Sequence, residues 1–326
     1  MTLWAMMGDA FDWAQQQLFD LVLQPLVVAL GWWELLDQAY EGAGWLLVGL
    51  LQLLAIACLL RPLERRWPTE AETDRQAVRV DVLYTLIHRL GLFRLIMFGT
   101  FEAWFLLGLG WLRLQGFPTW HLDQIWPGVT DVPVVSFVLY LVVLDLVNYW
   151  IHRAQHQFGP WWALHSLHHS QRQMTAWSDN RNHLLDDVLT GLILMAFAAL
   201  MGAPPGQFLL LLALGQMSES LQHANLRWHF GAIGERLWVS PRFHRRHHAI
   251  GLGHEQPGRP QVLGGCNFGV LLPWWDMCWG TANFERRWDA TGVRDQIEQG
   301  RDYGRGFWAQ QWRGLQRLGQ ALRGRA

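Results

Sequence analysis

Apolar residues run from Trp45 to Leu60 with Gln52 as the only strongly polar interruption, and the run stops at Arg61, Arg65 and Arg66. An earlier run covers Leu18 to Trp33, and later ones cover Leu90 to Leu112 and Val132 to Ile151, the last carrying a single charge, Asp145. Roughly 20 helical residues at about 1.5 Å each cross about 30 Å of hydrocarbon, so runs of this length predict transmembrane helices. Two further apolar stretches, Leu184 to Met201 and Gln207 to Leu221, flank Gly-Ala-Pro-Pro-Gly. Adjacent prolines and flanking glycines stop one helix and turn the chain, so this pair reads as a helical hairpin. The pattern predicts an all-α integral membrane helical bundle with about four to six transmembrane helices.

The arginines that follow Leu60 place that end of the span in the cytoplasm. Threading the chain from there puts Arg61 to Arg89 inside, Arg113 to Asp131 outside, His152 to His183 inside, the Pro-Gly turn outside and everything after His223 inside. Composition agrees with a membrane protein: 51% of residues are hydrophobic and 16% charged, and 22 are Trp. Many of these (Trp32, Trp33, Trp45, Trp111, Trp150, Trp161, Trp162) fall beside proposed span ends, as an aromatic belt would. A net charge of -1 leaves no nucleic-acid footprint. Three scattered cysteines, Cys58, Cys266 and Cys278, suggest neither a disulfide framework nor a thiolate metal site. No cleavable leader is expected, because Asp9 and Asp12 come early and no basic region precedes an apolar core. All basic residues are arginine and none is lysine, a coding bias of GC-rich bacterial genomes. The expected location is therefore a bacterial inner membrane. The chain divides into N-terminal transmembrane helices and loops (1–130), a catalytic region (131–285) and a basic amphipathic tail (286–326). In that tail, Trp308, Trp312, Leu315 and Leu322 share one helical face, which suits an interfacial or docking helix.

Chemistry concentrates in the histidines. His152 and His156 are spaced i, i+4 directly after the third span. Gly159 and Pro160 break the chain, and a new helix would then align His165, His168 and His169. The words His-Ser-Leu-His-His and His-Arg-Arg-His-His repeat one spacing, the second aligning His244, His247 and His248 behind Ser240 as N-cap and Pro241 at the first helical position. Neutral imidazole suits iron, zinc and copper, and helical i, i+3 and i+4 spacing lets one element offer several ligands. His223, at the end of the hairpin's second helix, is a ninth candidate ligand and His183 a tenth. His88 and His121 read as surface or interfacial side chains, and His229 and His254 as non-ligands. Eight to ten imidazoles exceed what one ion holds, so two ions follow. Asp145 and Glu219, seven and four residues before His152 and His223, are placed to accept the far imidazole N–H and fix ring orientation. With all the clusters on one side, the bundle should carry a cytoplasmic helical cap holding a histidine-rich dimetal site.

The words Asp145–His156, Leu164–Ser170, Arg181–His183, Gln222–Asn225, Ser240–His248 and Asn267–Thr281 together resemble the fatty acid hydroxylase / sterol desaturase superfamily. The resemblance spans roughly residues 135–285. It implies two iron ions as cofactor, with zinc able to substitute in purified protein, held by His152, His156, His165, His168, His169, His244, His247 and His248 and completed by His223. It also implies O2 as co-substrate, a membrane lipid as substrate, and hydroxylation or desaturation of an unactivated C–H bond. Electrons would come from a separate donor protein (a reductase, ferredoxin or cytochrome), since the chain has no haem, Rieske or nicotinamide pattern. Three positions depart from the family: Leu184 and Asp186 stand where proline and glutamate usually follow the Arg-Asn-His word, and Gly265 replaces an aspartate two residues before Asn267. Two other classes compete. A membrane zinc hydrolase would carry His-Glu-x-x-His, which is lacking here, and a metal transporter would spread its ligands through mid-span.

Overall fold

A computed structural model describes residues 3–324. Among the described residues, three helical segments are long and apolar enough to cross a membrane: Trp33–Arg66, Leu92–Leu114 and Pro133–Gln157. The first continues past Leu60 through a π-turn at Ile56–Leu60. That turn ends two residues before Pro62, whose ring would clash with the carbonyl four residues back in a regular helix. The Leu18–Trp33 run is split into a π-turn at Phe19–Leu23 and a short helix at Gln24–Ala29, closed by Gly31 at φ +73°. Leu92–Leu114 buries none of its most apolar stretch, the expected state of a helix facing lipid.

The hairpin forms as helices Leu184–Leu200 and Pro205–His223. Its apolar faces close on Pro133–Gln157, where Tyr140, Leu141 and Leu144 pack with Ala198, Leu211, Leu271 and Leu272. A second core joins Ile56 and Leu60 to Ala176, Ala224 and Leu226, tying the first span to the two loops that enter the histidine region. The stretch expected as a cytoplasmic loop contains a further helix, Arg75–Arg89, capped by the Asp74 side chain at 2.9 Å from Ala77 N. Its last residue is a buried hub: Arg89 donates to Gln52, Asp179, Ser220 and the Gln216 carbonyl at 2.7–3.1 Å.

The chain is mostly helical, but not purely so. Residues Glu255–Gln256 and Arg259–Leu263 form a small antiparallel hairpin, in which Pro257 and Gly258 (φ +72°) supply the turn. The tail helix, Phe307–Leu322, docks by its polar side. Gln310, Gln311 and Arg317 are buried, whereas Trp308 and Leu322 remain 79% and 68% exposed. Gln311 holds it: its amide donates to Tyr84 and to the Asn182 carbonyl, and its Oε1 accepts from Leu184 N.

One glycine sets how closely the first span approaches Arg75–Arg89. A Cβ at Gly49 would lie 1.7 Å from the Arg89 carbonyl oxygen, so backbone must move to admit it. Gly49→Ala should therefore destabilise by about 1–3 kcal/mol, the usual cost of overpacking. Thermal unfolding in detergent checks this, and an unchanged melting temperature would contradict the close approach.

Candidate metal centre

Four elements bring the histidines together. Pro133–Gln157 ends with His152 and His156, and Phe158 turns the chain into Gly159–His169, which carries His165, His168 and His169. Pro205–His223 contributes its last residue, His223. Ser240 Oγ accepts from Phe243 N at 3.1 Å and so caps Pro241–His247, which presents His244 and His247 with His248 as C-cap. The His-Arg-Arg-His-His word splits across that helix. Its arginines point away, Arg245 to Glu70 and Arg246 to Asn283, Glu285 and Asp289, and bolt the helix to the surrounding loops.

The nine imidazoles sort into two groups, each with ligand atoms within 4.8 Å of one another: His152, His156, His165, His169 and His247, and His168, His223, His244 and His248. All nine are at most 8% exposed. The groups abut, with the His169 and His248 rings stacked 4.4 Å apart.

The donor set fits a pair of cations. In the second group the Nε2 atoms of His168, His223, His244 and His248 follow one another at 3.1 Å. Nitrogens about 2.1 Å from a shared ion lie roughly 3.0–3.4 Å apart for right-angle to tetrahedral ligation. Both ring nitrogens of His156 and His169, and the Nε2 atoms of His165 and His247, are buried without a partner, a costly state unless an ion takes the lone pairs. Burial, and then the neighbouring imidazoles, push His168, His169, His244, His247 and His248 well below the usual histidine range. The rings are held neutral, the form that ligates.

Ring orientation comes chiefly from main-chain carbonyls. His152 Nδ1 donates to Phe268 O and His247 Nδ1 to Cys266 O, both at 2.8 Å, and His223 Nδ1 donates to Glu219 O at 2.9 Å. The expected carboxylate contacts are replaced. Asp145 accepts instead from Leu271 N, Leu272 N and Trp275 Nε1, and it is the backbone oxygen of Glu219, not its carboxylate, that meets His223. The loop that supplies Cys266 and Phe268 is pinned by Asp276, which accepts from Phe268 N and Gly269 N, and by Asn267, which bridges Phe243 O and Asn283. The acid that does orient a ligand is Asp186, one of the three departures from the family pattern. It accepts from His165 Nδ1 at 3.0 Å and from Gln155 and Trp161 at 2.7 Å.

His183 stands outside both groups. Its Nε2 donates to Gln311 O and its Nδ1 accepts from Leu185 N, so it caps a helix and anchors the tail instead of ligating. His88 is largely buried against Asp187, not at a surface, while His121 is the more exposed one. Trp161 and Trp162 pack into the site: Trp161 Nε1 donates to Asp186 at 2.7 Å, and the Trp162 ring lies 5.0 and 5.3 Å from those of His156 and His254. Gly265 has φ +130°, and a Cβ there would be 2.3 Å from Gly253 O, so the close turn explains why no aspartate occupies this position.

Residues 137–281 match the family model described as fatty acid hydroxylase. This stretch holds all nine clustered histidines. The chain is 27% identical over 262 residues to an ornithine lipid hydroxylase of Rhizobium tropici, covering 78% of this chain and 73% of that protein. It is 23% identical over 171 residues to methylsterol monooxygenase 1-3 of Arabidopsis thaliana, covering 50% of this chain and 58% of the relative. A Delta(7)-sterol 5(6)-desaturase of Gibberella zeae is 27% identical over 147 residues, which is 45% of this chain and 41% of the relative. No solved structure matches.

Two outcomes follow from the geometry of this centre. Asp186→Asn removes the acceptor that orients His165 and should weaken metal affinity about 10–100-fold, measured by chelator competition. In the metal-free protein the buried imidazoles take up protons less readily than in the unfolded chain. Stability should therefore be full above about pH 6.5 and fall as pH drops toward 5, read as a declining melting temperature.

Proposed function

We propose that this protein is a membrane-bound di-iron oxygenase that uses O2 to hydroxylate or desaturate an unactivated C–H bond of a lipid. The observation that carries the reading is the pair of abutting, thiolate-free imidazole groups, five and four ligands strong, buried beside helices long and apolar enough to cross a membrane. The relatives' names, a lipid hydroxylase, a sterol monooxygenase and a sterol desaturase, support lipid oxidation as the common chemistry. Iron bound there would supply O2 activation and hydrogen removal from carbon.

The chain's own residues supply the rest. The carbonyls of Cys266, Phe268 and Glu219 and the carboxylate of Asp186 keep one nitrogen of each partner ring protonated and turn the other toward the ions. The loop over residues 266–276 closes one side of the centre: the Phe268 ring lies 5.2–6.0 Å from the rings of His152, His156 and His247 and shields them from water. Arg61, Arg65 and Arg66 at the end of the first span support a cytoplasmic position for the centre in a bacterial inner membrane, and electrons would arrive there from a separate donor protein.

Protein purified without oxygen should contain two irons per chain, and cells expressing it should accumulate a lipid heavier by 16 mass units, or lighter by 2 for desaturation. His247→Ala should lose metal and activity, while His121→Ala should keep both. One zinc per chain with unchanged lipids would overturn the assignment.

A further inference from the structure

A cavity of about 130 Å³ leaves the metal centre on the side of the spans and touches both ligand groups, through His152 and His165 on one hand and His168, His223 and His244 on the other. Its lining is unexpected for an enzyme that would draw a bare hydrocarbon from the bilayer. Among the described residues that line it, only Ile151 and Val270 are aliphatic, and the rest are histidines, amides, acids and one threonine. A methylene chain would desolvate these groups and return nothing.

The polar lining is rich in acceptors. Asp186 is satisfied by His165, Gln155 and Trp161, and Asp179 is paired with Arg89, whose terminal nitrogens also meet Gln52, Gln216 O and Ser220. Asp187 meets His88 at 3.1 Å, and burial lowers that imidazole to about 4, so this partner is neutral. Glu219 has its main-chain oxygen committed to His223, and its carboxylate lines the cavity. Gln222, 1% exposed, donates its amide to Ser218 and Val270 O, which leaves Oε1 buried with no partner. Two carboxylates and an unmatched amide oxygen around one small space call for a donor-rich cation.

We propose that this cavity takes the primary-ammonium head of an amine-bearing lipid, with Glu219, Asp187 and Gln222 Oε1 accepting its N–H bonds, so that the C–H bond presented to the metal centre belongs to the head and not to the acyl tail. The proposal rests on the oxygenase reading for the reaction but not for the binding. The acyl tail remains outside the cavity, along the lipid-facing helices.

Binding is measured on the zinc-loaded protein in neutral detergent, which cannot turn over. The probes are Nα-palmitoyl-lysine methyl ester, its Nε-acetylated counterpart and methyl palmitate, followed by quenching of tryptophan fluorescence. The free amine should bind at least tenfold more tightly than either neutral probe, and the double variant D187N/E219Q should lose that preference while keeping its metal content. Equal affinity for the amine and its acetylated form, or effective competition by methyl palmitate, would overturn the proposal even if the variant proved too unstable to purify. Failure of the iron and lipid-mass measurements would sink the oxygenase reading and leave this preference standing or falling by itself.

Discussion

Nine imidazoles packed out of water, with their lone pairs converging on two points, are the constraint around which the rest of the molecule is arranged. Protonated, the rings would repel one another in a medium that cannot solvate them. Neutral and without a cation, they leave buried nitrogens unmatched. Each ring must also present a chosen nitrogen inward, and four rings do so by donating Nδ1–H outward to a fixed oxygen. Ligation, tautomer and loop position are thus one problem with a joint solution.

The scaffold holds that solution from several directions. Asp145, from within a span-length helix, catches the amides of Leu271 and Leu272, and Asp276 catches those of Phe268 and Gly269, so two buried carboxylates fix the loop whose carbonyls orient His152 and His247. Arg245 and Arg246 anchor the opposite side of the helix that presents His244 and His247. His183 and Gln311 tie the tail helix to the start of the hairpin. Charged groups are buried throughout, but nearly always in pairs or against backbone amides. That pairing is how a chain with few charges tolerates so many of them inside.

Much of this was legible one residue at a time. Spacing of i, i+3 and i+4 put His165, His168 and His169 on one stripe and His244, His247 and His248 on another, because helical geometry is local. Ser240 and Pro241 announced the start of their helix for the same reason. The misreadings are equally instructive. Asp145 and Glu219 were assigned to the ligands they precede on their helices, but same-face spacing does not say whether a carboxylate reaches forward to a histidine or sideways to a loop. His183 shares a motif with the ligands yet serves as a cap, and Asp186, noticed as a departure from a pattern, proved to be the orienting acid. Carbonyl acceptors such as Phe268 O carry no sequence signal, since every residue has one.

By itself, then, the sequence determined the helical segments, the apolar lengths suited to a bilayer, the imidazole stripes and the absence of thiolate ligands, all set by composition and by periodicities of a few residues. Only the tertiary structure decided how nine histidines divide into groups of five and four, which oxygen orients each ring, and that the space beside them is walled by carboxylates instead of methylenes. Those outcomes join positions a hundred or more residues apart, such as His152 to Phe268 and Asp145 to Leu271. They arise from how the helices pack against each other, and no local repeat encodes that.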